Sequence, residues 1–146
     1  MPRVTNEHGA FDAPDGWAEL EGLGAVARPL REVAEPPDVR PSIVLTGDER
    51  AADVTMGGYL QAQQASLEKL LCDWRAIDGT TPDAEPGPAV LRHCFQPPDA
   101  GWVMQYQAYW FFGARVTILT ATAPAGEANE AWETFSRAVA SYAPPA

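Results

Sequence analysis

Two switches of hydrophobic period and one glycine-marked hairpin predict an α+β domain, an antiparallel sheet of about six to seven strands with two main helices packed on it. Apolar residues step by three and four at Met56, Tyr59, Leu60, Leu67, Leu70 and Leu71, and again at Ala128, Ala131, Trp132, Phe135, Val139 and Tyr142. Each series is the apolar stripe of an amphipathic helix. Between them Gly113-Ala114 separates two long β-type runs, and glycine at the first central position suits a two-residue type II′ hairpin turn.

Proline and glycine clusters at Pro14-Asp15-Gly16, Pro36-Pro37, residues 82–88 and residues 97–101 set the remaining boundaries. Residues 9–13 and 17–20 read as short strands around the Pro-Asp-Gly turn, and residues 25–34 continue that meander. Residues 41–46, with Ile43-Val44-Leu45, read as a buried strand. The first helix is expected over residues 55–72 with Thr55 as its N-cap and Gly57-Gly58 weakening its first turn. Strands follow at 74–78, 89–95, 102–112 and 115–122. A closing helix spans 126–142, with Glu127 and Glu130 near its positive end and a fraying tail from Ala143 onward.

The hairpin turn fixes the register, so that Phe111 faces Val116, Tyr109 faces Ile118, Gln107 faces Thr120 and Gln105 faces Thr122. One face of the hairpin, with Trp102, Met104, Tyr106, Ala108, Trp110 and Phe112, is apolar throughout and wants both helices on it. The other is apolar near the turn and turns polar, in Gln and Thr, toward its far end.

Length and composition bound the rest. A chain of 146 residues is expected to form one domain, with its core over about 9–142, and at this size folding buries roughly 70% of the extended chain's surface. Twenty acidic against ten basic residues leave a formal charge of -10, which repels phosphate backbones and argues against nucleic acid. No run approaches the roughly 18 apolar residues of a membrane helix, and residues 1–10 hold no apolar stretch of the kind that leads export. The expectation is a cytoplasmic protein that does not insert into membranes, with Cys72 and Cys94 reduced and acting as small buried residues.

Catalytic constellations are missing from the pattern. A serine or cysteine nucleophile needs an imidazole within reach, and only His8 and His93 could provide one. His8 is expected in a frayed start and His93 within a strand beside Arg92 and Cys94. No phosphate-binding glycine loop, nucleophile elbow or metal-ligand spacing is found. We therefore expect a protein that is not an enzyme, with no catalytic residues, no metal and no cofactor. Binding is expected on the second hairpin face, at Gln105, Gln107, Tyr109, Phe111, Ile118, Thr120 and Thr122, where hydrogen-bonding groups without charge adjoin aromatic and aliphatic ones. The same residues also suit an ordinary half-solvated sheet face.

The order of these elements carries a resemblance. The stretches Phe11-Asp-Ala-Pro-Asp-Gly-Trp17, Pro41-Ser-Ile-Val-Leu-Thr46 and Tyr59-Leu-Gln-Ala-Gln-Gln-Ala-Ser-Leu67, the hairpin with its Thr120-Ala-Thr122 exit, and residues 135–142 together resemble the DcrB-like family. That family shares the fold of the photosystem protein PsbP. The likeness covers nearly all of residues 11–142 and rests on order and spacing, since no single motif is diagnostic. It implies a non-catalytic role. One branch comprises cytosolic chaperone-adaptors that hold apolar transmembrane segments of secretion effectors before export; others are periplasmic or lipid-anchored, including mycobacterial lipoproteins that look like LpqN. The chain shows neither an export signal nor a lipid-acceptor cysteine, so the resemblance favours the cytosolic branch.

The function expected is thus an adaptor domain holding a protein or apolar peptide segment, with a second copy of the chain as a further partner. The alternative is a small-molecule or lipid carrier of helix-grip type. An adaptor needs an open face, whereas a carrier needs an enclosed pocket of roughly 300–1,000 Å³.

Overall fold

The computed structural model describes residues 2–27, 40–98 and 100–145. In chain order the elements are β1 (Arg3–Asn6), β2 (Gly9–Asp12), β3 (Ala18–Leu20), β4 (Gly24–Val26), β5 (Ser42–Glu49), α1 (Met56–Leu70), β6 (Arg75–Thr80), β7 (Ala89–Phe95), β8 (Val103–Phe112), β9 (Arg115–Pro124) and α2 (Ala128–Ser141). Seven strands form one antiparallel sheet in the order β3-β4-β5-β9-β8-β7-β6, and β1 pairs with β2 apart from it. This is the α+β architecture that the sequence predicts.

The β8–β9 hairpin is the centre of the sheet. Phe112 opposes Arg115, so the turn is Gly113-Ala114, and Gly113 has φ +64° while Ala114 stays at negative φ, as a type II′ turn requires. All four expected pairs hold, from Phe111 opposite Val116 to Gln105 opposite Thr122.

Helix placement departs from expectation. The two helices do not share a face; they take opposite ones. On the face bearing Tyr106, Ala108 and Trp110, α2 inserts Ala131, Phe135 and Ala138, and the β1–β2 hairpin adds Val4 and Phe11. Tyr106 donates to the Ala128 carbonyl at 3.0 Å, which pins the start of α2, and Trp110 stacks on Tyr142 at 4.0 Å between ring centres. The hairpin takes the room expected for α1, because its short strands carry Val4 and Phe11 fully inward and Ala13, just past β2, is buried with them.

Both chain ends are tied down where fraying is expected. His8 lies in the β1–β2 turn, its carbonyl accepting from Tyr142 Oη at 2.9 Å, and Ala143 exchanges two backbone hydrogen bonds with Ala10. Asn6 Nδ2 donates to the Gly22 and Leu45 carbonyls at 2.7 and 3.0 Å, joining the hairpin to the main sheet. The expected strands at 9–13 and 17–20 exist as β2 and β3, but they belong to different sheets. Of the meander expected over 25–34, Gly24–Val26 is strand; residues 28–34 lie outside the described residues. Trp132 and Trp102 remain 38% and 37% exposed, and Cys72 is exposed rather than buried.

Candidate functional site

The second sheet face is built in rows, because directly paired residues share a side. One row runs Val26, Ser42, Thr122, Gln105, His93, Ala76; the next runs Gly24, Val44, Thr120, Gln107, Leu91, Gly79. Nearer the turn come Thr46, Ile118, Tyr109 and Ala89, then Asp48, Val116 and Phe111.

α1 must carry the chain from the end of β5 to the start of β6 on the opposite edge, so it crosses this face obliquely. Thr55 caps it, its hydroxyl accepting from the Gly58 N–H at 3.0 Å, as the sequence predicts. Its first turns seat Tyr59 and Leu60 against Ala89, Leu91, Tyr109, Phe111, Val116 and Ile118. Tyr59 meets Tyr109 and Phe111 edge-on at 6.1 and 5.7 Å, and its hydroxyl donates to Asp48 Oδ2 at 2.6 Å. Burial and that carboxylate push the Tyr59 phenol far above its ordinary range. Further along, the stripe is not used. Leu67 and Leu71 are half-buried, Leu70 is 78% exposed, and none of the three packs with either buried cluster.

The seven residues expected to bind therefore divide. Tyr109 and Phe111 are fully buried and Ile118 nearly so, all under the first half of α1. They form core and offer no open surface. Gln105, Thr120 and Thr122 are half-buried beyond the helix, and Gln107 sits at the border, 6% exposed. Val26, Ser42 and Val44 continue this corner and are also half-buried. Sequence reasoning missed these three, since β5 shows its facing only once Ser42 is paired with Thr122 and Val44 with Thr120. Among the described residues the corner holds no charged side chain, in a chain of net charge -10.

Two side-chain relays cross it in the same direction. His93 Nε2 lies 2.6 Å from Gln105 Oε1, and Gln105 Nε2 donates to Thr122 Oγ1 at 3.1 Å. In parallel, Tyr109 Oη donates to Gln107 Oε1 at 2.6 Å, and Gln107 Nε2 donates to Thr120 Oγ1 at 3.2 Å. Burial raises the Tyr109 phenol well above its ordinary range, which keeps it a neutral donor; a Gln63 hydrogen bond pulls the other way. His93 is 1% exposed and burial lowers its pKa, so it is neutral. With the Nε2 proton committed to Gln105, Nδ1 is an acceptor. That nitrogen and the indole N–H of neighbouring Trp74, whose ring lies 5.8 Å away, are buried without a hydrogen-bond partner among the described residues.

Among the described residues no group of three or more His, Cys, Asp or Glu side chains is placed to hold a metal ion, and no helix is long and apolar enough to cross a membrane. A cavity of about 250 Å³ adjoins this corner, lined by Ser42 and Thr122 together with Trp17, Ala121, Ala123 and the first turns of α2 at Glu127, Glu130 and Ala131.

No protein-family model matches the chain, and no curated protein matches it. Solved structures do. The chain is similar to LpqN of Mycobacterium tuberculosis, involved in cell envelope biogenesis, at 20% identity and TM-score 0.65, over 92% of this chain and 82% of that one. It is similar to PA94 of Pseudomonas aeruginosa, a protein of unknown function described as a putative regulator, at 18% identity and TM-score 0.65, over 100% and 98%. It is also similar to the cyanobacterial PsbP of Synechocystis sp. PCC 6803, at 14% identity and TM-score 0.58, over 99% and 92%. The fold is PsbP-like, and none of the three is described as an enzyme.

Proposed function

We propose that the chain is a non-catalytic binding domain that holds an apolar segment of another protein at the corner formed by Val26, Ser42, Val44, Gln105, Thr120 and Thr122. The observation that carries this reading is the mismatch on one face: α1 buries Tyr59 and Leu60 in its first half, while in its second half Leu67 and Leu71 are half-buried and Leu70 is exposed, and the strip of sheet from Val26 to Gln105 is itself half-buried and without charge among the described residues. Leucines on one side and neutral hydrogen-bonding groups on the other suit a guest with apolar side chains and a polar backbone. The resemblance to the DcrB-like family gives the finer version. There the guest is a transmembrane segment of a secretion effector, held by a cytosolic chaperone-adaptor before export; a second copy of the chain is the other occupant that this face would suit.

Two cavities bear on the carrier reading: one of about 470 Å³ beside His8, Asp48, Glu49 and Arg115, which is open and lined by charged groups, and the one beside α2. At about 250 Å³ the latter is smaller than the roughly 300–1,000 Å³ of most ligand pockets.

The test is binding of a leucine- and alanine-rich peptide, compared with a polar peptide of equal length, to wild type and to Val44→Asp. Val44 is half-buried in the corner and outside both cores. Saturable binding of the apolar peptide, lost in Val44→Asp with circular dichroism unchanged, supports the proposal. Equal binding by the variant, or binding of a medium-chain fatty acid and not of the peptide, overturns it.

A further inference from the structure

Independently of that reading, we propose that the outer edge of β6 is a second docking site, which takes an extended acidic segment of another protein as an added strand. β6 ends the seven-stranded sheet, and among the described residues no strand pairs with its far side. All six of its residues are exposed. An edge strand turns the N–H and C=O of every second residue away from its neighbour, which makes it a template for a further strand. At the other end of the sheet β3 has only three residues, so β6 is the longer of the two edges.

The surface beside this edge has the composition of a contact site. α2 packs over β2, β8 and β9, so its face of the sheet continues past it toward β6. Trp132 and Trp102 stand on that margin, both exposed, and each carries a guanidinium: Arg92 lies 5.1 Å from the ring centre of Trp132, and Arg75 lies 5.7 Å from that of Trp102. Arg75 is opposite Cys94 and Arg92 is opposite Tyr106, in successive rows of the face, so the two pairs form one patch. Ile77, 47% exposed, sits at the bulge of the edge strand itself. Three of the five exposed large apolar side chains among the described residues thus gather at one end of the sheet. Such side chains scattered singly need no explanation, whereas a cluster of them marks a contact surface, and Trp and Arg are enriched where binding energy concentrates.

Charge selects the occupant. The chain carries -10 overall, yet here two guanidiniums stand against one carboxylate. Asp78 holds Arg92 through two hydrogen bonds, whereas Arg75 makes no ion pair among the described residues and has only the Trp102 ring. On an added strand, an acidic side chain opposite Arg75 gives it a partner, and an apolar one beside Ile77 covers its exposed surface. The rest of the molecule repels an acidic segment, and at ordinary salt that repulsion is screened beyond about 10 Å, so the segment is confined to this edge. A second copy of the chain fits less well, because its β6 brings Arg75 a carboxylate already bound by Arg92.

The test uses the full chain and a capped peptide of about ten residues, alternating valine and threonine, with two glutamates at its centre. One companion peptide has lysines for the glutamates; another has a pair of adjacent prolines on either side of them, which removes N–H groups from both edges of the strand. Expected are saturable binding of the glutamate peptide, slowed amide exchange within residues 75–80, and a loss of more than about tenfold for each companion. Arg75→Glu should weaken binding more than about tenfold and the near-isosteric Arg75→Gln about fivefold. Arg137→Glu makes the same charge change beside Asp12 and Glu133, away from β6, and should alter binding less than about twofold. Failure of the glutamate peptide to bind, equal binding by either companion or by both Arg75 variants, or exchange slowed on β5 and β9 in place of β6 overturns the proposal. Dimerisation that Arg75→Glu abolishes, with no peptide binding, also overturns it and assigns the edge to a second copy.

Discussion

His93 Nε2 is 2.6 Å from the side-chain oxygen of Gln105, while His93 Nδ1 is buried and meets no hydrogen-bond partner among the described residues. One imidazole nitrogen thus orients the strip and the other makes protonation costly. Burial holds the folded-state pKa below the ordinary value of about 6.5, so just under that pH the unfolded chain binds more protons than the folded one. Stability is full above about pH 6.5 and falls as acid is added, with a slope of at most about 1.4 kcal/mol per pH unit from this group. Urea unfolding of wild type and His93→Gln between pH 7 and 5.5 checks it. The variant should show a flatter dependence in that window, and an unchanged slope would remove His93 as the cause.

Removing the Tyr109 hydroxyl leaves the Gln107 amide oxygen without its donor inside the sheet. Tyr109→Phe should cost about 1–3 kcal/mol in chemical denaturation, since the ring still fills its place and only the buried hydrogen bond is lost.

The closing helix offers a pair of contrasting substitutions. Phe135 is 2% exposed among Tyr106 and its neighbours, and Phe135→Ala should cost about 3–5 kcal/mol. Trp132, which the sequence places on the same stripe, is 38% exposed, lying edge-on to Tyr106 at 5.1 Å with the Arg92 guanidinium over its outer side. Trp132→Ala should cost under about 2 kcal/mol. Equal costs in the same denaturation assay would contradict the burial difference.

At Gly24 a methyl group would stand 1.9 Å from the Ile43 carbonyl oxygen and 2.7 Å from Val44 Cα. Both atoms are backbone, so β4 itself has to move off β5. Gly24→Ala should cost about 1–3 kcal/mol and loosen the edge that carries Val26 into the strip. Thermal melting measures the cost, and faster amide exchange at Ala25 and Leu45 the loosening.

Much of the fold was readable from local signals. The Gly113-Ala114 turn fixed the register of Gln105 to Thr122 because a two-residue loop leaves one pairing, and Thr55 marked the start of α1 through its capping hydroxyl. Which face each helix takes was not readable. That choice depends on Phe11 and Val4 reaching the α2 side from a hairpin of two four-residue strands, too short to stand out by alternation. The site suffered from the same error, since Tyr109, Phe111 and Ile118 became core once α1 lay over them. Gln105, Gln107, Thr120 and Thr122 kept their common face because their grouping came from the hairpin alone. His93 and Trp74 join through pairing and crossover, which a single strand's pattern does not carry.

An α-helix clasped at one end behaves as a lever. The Tyr59 end of α1 is locked by Asp48 and two aromatic rings, while at the other end Leu70 is 78% exposed and the tie to the sheet lies past the helix, where the Cys72 carbonyl accepts from the Gln96 N–H at 2.9 Å. Amide protons should therefore exchange fastest toward Leu70, along one continuous helix. A guest that draws Leu67 and Leu71 down onto itself has to still that motion, so its measured affinity is the contact energy less the entropy of quieting half a helix.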